Sequence, residues 1–103
     1  MKRRIADIEV HEQALAELAV AMAGLRTPAQ MRAFLEDLCT PAELEAMTDR
    51  WRVVPLLLEG VPYREIHDQT LVSVTTIGRV ARTLERGAGG YASAIKHRPS
   101  RAR

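Results

Sequence analysis

The 103-residue sequence is poor in cysteine, in aromatic residues and in long apolar runs. A single cysteine, Cys39, excludes an internal disulfide and fits a reducing cytoplasm. The run Val53 to Leu58 has only six residues and contains Pro55, whereas a membrane span needs about 18. No membrane partner is expected. Met1 to Ile8 carries basic residues with no apolar stretch behind them, so no signal peptide is expected and the location read is cytoplasmic. His11, His67 and His97 have no companion at metal-ligand spacing, which argues against a metal. Glu36 and Asp37, or Glu43 and Glu45, stand one or two apart and do not converge on one point of a helix. No P-loop, no GxSxG and no dinucleotide fingerprint is present. With no convergent acid, base or nucleophile, an enzyme is not expected, and no cofactor is implied. No repeat with a period of about 20–50 residues is visible.

The composition that remains, 47% hydrophobic and 27% charged, is that of one folded domain with a small core. The formal charge of +2 hides a segregation. Residues 1–78 hold eight Lys/Arg and twelve Asp/Glu, and residues 79–103 hold seven Lys/Arg and only Glu85. A basic end on an acidic chain points to a polyanion or to a solvated tail.

Ala and Leu dominate and β-branched runs are short, which favours an all-α fold. The spacing predicts a first helix from about Glu9 to Ala23, with residues 1–8 as an arm. Its seam is Leu15, Leu18, Met22 and Leu25. Thr27 caps a second helix with Pro28 at its first position and a stripe of Met31, Phe34, Leu35 and Leu38. Thr40-Pro41 starts a third, with Glu43 set for a capping box, reaching about Glu59. Leu44, Met47, Trp51, Val54 and Leu58 are expected inward, and Pro55 is expected to kink or break this helix. A short fourth helix runs from Tyr63 to about Thr70. Ser73 caps a fifth, about Val74 to Arg86, with Ile77, Val80, Ala81 and Leu84 as its buried stripe. A short sixth helix near Tyr91 to Lys96 is weakly marked, and residues 97–103 read as a disordered basic tail. The expected domain is residues 9–96.

Residues 63–86 form a helix-turn-helix pattern, in which the second helix lies in the DNA major groove. Ser73, Val74, Thr75 and Thr76 at its start can meet base edges and thymine methyls. Arg79 and Arg82 can reach phosphate or guanine. Arg64 and His67 are expected to face the DNA backbone or the groove rim, and Tyr63 is a further candidate contact. Ordinary helical bundles also contain such pairs of helices, so the pattern alone leaves both readings open.

The run Phe34-Leu35-Glu36-Asp37-Leu38-Cys39-Thr40-Pro41-Ala42-Glu43-Leu44 resembles the Trp-repressor-like YerC/YecD family. The resemblance continues through Arg50, Gly60, Tyr63, Ser73, Thr76, Ile77, Arg79 and Val80, and ends near Gly89 to Tyr91. It implies a six-helix, Trp-repressor-like, intertwined homodimer with two helix-turn-helix units on double-stranded DNA. It also implies a transcriptional regulator that acts as a repressor. By position, Thr40, Arg50, Arg79 and Thr83 resemble the repressor's corepressor-binding Thr, Arg pair and Ser. The glycine that follows the second Arg in the repressor is Val80 here, whose bulk opposes tryptophan as a corepressor. The turn that usually carries glycine in this family carries Leu71. Two rivals remain: a helical protein-interaction module, and a sensor of a small carboxylate without operator reading.

Overall fold

The computed structural model describes residues 5–98. Among them there are six helices and no strand. They are α1 (Ile5–Ala23), α2 (Pro28–Leu38), α3 (Pro41–Leu58), α4 (Tyr63–Thr70), α5 (Val74–Arg86) and α6 (Gly90–His97). The all-α expectation therefore holds. The chain divides into two compact units, one ending at Thr40 and one starting at Pro41.

In the first unit, α1 starts at Ile5, four residues before the expected Glu9, so residues 5–8 are helical. Thr27 caps α2 as its sequence indicates. Its Oγ1 accepts from the Gln30 amide at 3.1 Å, and Gln30 Oε1 accepts in return from the amides of Thr27 and Arg26. Two amides that the helix cannot satisfy internally are thus closed by one Gln side chain. Neither α1 nor α2 buries a residue. Val20 is 73% exposed, and Ile5, Val10 and Leu15 stand out likewise.

The second unit holds the core: Val53 and Val54 of α3, Ile66 of α4, Val72 of the turn, and Ile77 and Val80 of α5. Leu56, Leu57, Val61, Leu84, Tyr91 and Ile95 pack around it. Helices α3, α4 and α5 each touch the other two, and α6 adds to α3. Trp51 and Tyr91 pair with ring centroids 6.5 Å apart.

Three expectations for α3 need correction. It does not break at Pro55 but continues through it to Leu58. Pro55 removes one backbone donor, but Val53, Val54, Leu56 and Leu57 in the same two turns pack into the core and hold the helix. Of the five residues expected inward only Val54 is buried. Leu44 is half-buried, Met47 and Leu58 are exposed, and Trp51 is 37% exposed. The helix is apolar on two faces, and the face bearing Val53 and Leu57 meets α4 and α5. The third correction is small: the helix ends at Leu58, followed by Gly60 at φ 80. Helix α6, weakly marked in the sequence, is formed and includes His97, which was assigned to the tail. Residues 1–4 of the expected arm and 99–103 of the expected tail lie outside the described residues.

Candidate nucleic-acid interface

Helix α5 has two unlike faces. Ile77 and Val80 are buried and Ala81 and Leu84 half-buried, as the i, i+3, i+4, i+7 spacing predicts. Val74, Thr75, Arg79 and Arg82 are exposed on the other side. Buried apolar area fixes the helix on α3 and α4 and leaves the polar face outward.

The start of α5 is fixed by Ser73. Its Oγ accepts from the Thr76 amide at 3.1 Å and donates to Thr76 Oγ1 at the same distance. Both hydroxyls are thereby engaged with each other, and Thr76 is half-buried. That leaves Val74 and Thr75 as the free side chains of the first turn, with Val74 51% exposed.

The turn between α4 and α5 is tied by four side-chain bonds. Thr70 Oγ1 donates to the Ile66 carbonyl at 2.7 Å and accepts from the Val72 amide at 3.1 Å. Arg52 Nη1 of α3 donates to the Thr70 carbonyl at 3.2 Å. His67 Nδ1 lies 2.8 Å from the Val72 carbonyl. A carbonyl only accepts, so Nδ1 carries the proton. One ring nitrogen of His67 is therefore committed to the turn. Tyr63 and Arg64, at the start of α4, are exposed.

Leu71 closes α4 in the left-handed region, φ 65 and ψ 8, with its amide donating to the His67 carbonyl at 2.7 Å. It is the one non-glycine residue at positive φ among the described residues. Its side chain is 81% exposed and contributes nothing to the core. The backbone strain is held by the surrounding bonds. Leu71→Gly is expected to raise stability by about 0.5–1 kcal/mol, read as a higher urea midpoint, since glycine takes positive φ without a Cβ penalty. No gain would mean that the turn relaxes around leucine.

At the other end of α5, Arg79, Arg82, Thr83, Arg86 and Gly87 line an open groove of about 400 Å³. Thr83 Oγ1 donates to the Arg79 carbonyl at 3.0 Å. Among the described residues no carboxylate pairs with Arg79, Arg82 or Arg86. Three unpaired guanidiniums on successive turns make a site for a polyanion. Arg86 is not among the candidate DNA contacts read from the sequence, although it continues the Arg79, Arg82 spacing; Arg52 and Thr70 carried no signal at all.

Of the four residues matched to a corepressor site, Arg79 and Thr83 share this groove, and Arg50 of α3 does not line it. Thr40 falls in the first unit. Val80 does not obstruct the groove: it is 1% exposed and belongs to the core.

Two helices, a tight braced turn, and a second helix with one face in the core and a basic, hydroxyl-bearing face bare define a helix-turn-helix protein of the all-helical class. The chain belongs to the Trp repressor family, whose sequence model, described as Trp repressor protein, matches residues 13–98. It is also similar to the uncharacterized protein YerC of Bacillus subtilis (strain 168), at 39% identity over 62 residues. That match takes in 60% of this chain and 60% of YerC, so it spans less than two thirds of that relative. No solved structure matches. No helix among the described residues is long and apolar enough to cross a membrane.

Proposed function

We propose that the protein is a cytoplasmic, sequence-specific DNA-binding regulator, a repressor acting by occupancy of an operator rather than by chemistry. The observation that carries this is the bare face of α5, where Val74 and Thr75 precede Arg79 and Arg82 on one exposed side. Val74 and the Thr75 methyl suit thymine methyls, and the Thr75 hydroxyl suits base edges. Arg79, Arg82 and Arg86 suit phosphates on either side. Arg64 and Tyr63 flank them from α4, while His67, Ser73 and Thr76 act by holding the turn and cap that aim the helix.

The working form is a homodimer. Helix α1 buries none of its 19 residues, and Ile5, Val10, Leu15 and Val20 on it are exposed. On α3, Leu58 is exposed as well, and Met47 and Trp51 are partly so, Trp51 with one side against Tyr91. Exposed apolar residues in this number support a protein interface, and a two-fold dimer presents two helix-turn-helix units to one duplex. Of the two rivals, the interaction module is favoured by the same apolar faces. It predicts association that ignores salt and leaves no footprint on DNA.

Both parts are tested by sedimentation and by duplex binding at a series of salt concentrations. The expected results are a dimer at micromolar concentration and a linear fall of log affinity with log salt, as phosphate-bound cations are released. A monomer, or no duplex binding at low salt, contradicts the proposal. A corepressor that uses Arg79 and Thr83 would appear in the same assay as an amino acid that raises both affinity and thermal stability.

A further inference from the structure

We propose that Gly78 is the point at which duplex DNA comes against the backbone of α5. The inference rests on the DNA-binding reading above and adds a contact to it. Gly78 lies in the middle of a 13-residue helix, where glycine is the poorest choice after proline. Nothing in the chain's own fold asks for it. Its φ is not in the left-handed region. A Cβ placed there would meet only Tyr63 Cε2, at 3.9 Å, an ordinary contact. Alanine would therefore fit and would be the better helix former.

The position explains the choice. Gly78 follows Val74 by four residues and Thr75 by three, and precedes Arg82 by four, so it lies on the same stripe as the exposed residues of α5. Its two flanks are Tyr63 of α4 and the adjacent Arg79. The stripe thus has a notch between its base-reading start and its basic end. A missing side chain lets a ligand approach the helix backbone closely. The unpaired arginines on the same stripe select a polyanion, and a duplex fits its groove wall against the notch where a protein partner would leave those charges unmatched.

The test uses the full-length protein, a duplex selected by the wild type, and an unrelated duplex of the same length. Gly78→Ala is expected to raise the Tm by about 4 °C or more. It is expected to weaken binding to the selected duplex about tenfold, the scale of one mismatched base pair. Binding to the unrelated duplex, carried by the cations, is expected to change by less than about twofold. Gly78→Leu extends the loss on the selected duplex. A Gly78→Ala protein that binds the selected duplex as the wild type does overturns the inference and leaves the DNA reading standing. A lower Tm also overturns it, because the fold itself would then require glycine. A wild type that binds no duplex removes the DNA reading and this inference together.

Discussion

Replacing Ile77 with alanine is expected to lower stability by about 2–5 kcal/mol. Ile77 is fully buried on the inner face of α5, in a core of six buried hydrophobic residues among those described. Removing its branch deletes contacts to helices that have few others to offer, and leaves a cavity that a small core closes only in part. Domains of this size have about 5–15 kcal/mol in total, so the loss is a large share. Urea unfolding should show a lower midpoint with an unchanged slope, the sign of altered stability alone. Ile77→Val should lose about 1 kcal/mol. An alanine variant within experimental error of the wild type would mean that α5 is not held by this face. DNA binding should fall with the folded fraction and no faster.

The second large effect is electrostatic and leaves the fold intact. Arg79, Arg82 and Arg86 are exposed and form no ion pair among the described residues. Changing all three to alanine should lower stability by no more than about 1 kcal/mol, most of it from Arg86 in the last turn of α5. Duplex binding should respond strongly. Each phosphate contact contributes about 0.9 to the slope of log affinity against log salt, so one copy of the triple variant should lose about 2.7. In a dimer both copies lose it. An unchanged slope would place the phosphates elsewhere on the molecule. Thr75→Ala is the complement: it should relax sequence preference while leaving that slope alone.

The two variants separate what holds α5 from what it does, and the same division decides how much of the molecule could be read from its sequence. The helix starts at Pro28, Pro41 and Val74 were legible because capping is local: Thr or Ser, then Pro or a free amide, within four residues. The buried stripe of α5 was legible for the same reason, since one period decides it. Helix α3 was not, because it is apolar on two sides and periodicity does not say which side meets α4 and α5. Trp51 and Met47 looked inward for that reason, and Val53 was passed over. Pro55 is expected to kink or break α3 because its lost hydrogen bond is local, whereas the burial of Val53, Val54, Leu56 and Leu57 that keeps the helix continuous is tertiary.

The site shows the same limit. Leu71 could be flagged as either strained or in a different turn, and only the backbone decides for strain at φ 65. His67 looked like a contact for phosphate because histidine on a surface helix has no local partner. Its bond to the Val72 carbonyl forms only when the turn folds back. Ser73 and Thr76 carried the right residue types for base edges, but their hydroxyls bond to each other and to the helix start. The proposed contacts on α5 therefore shorten to Val74, Thr75, Arg79 and Arg82, with Arg86 added and the exposed Tyr63 and Arg64 beside them on α4. The segregation of charge survives: the positive surplus starts at Arg79, on the helix that the core turns outward.

The measurement that bears most closely on DNA recognition is selection of bound duplexes from a random pool by the purified wild-type protein. The expected product is a two-fold symmetric consensus, with half-sites about one helical turn apart, as a dimer presenting two α5 helices requires. A pool that stays random after repeated selection, with retention that does not depend on salt, would contradict it.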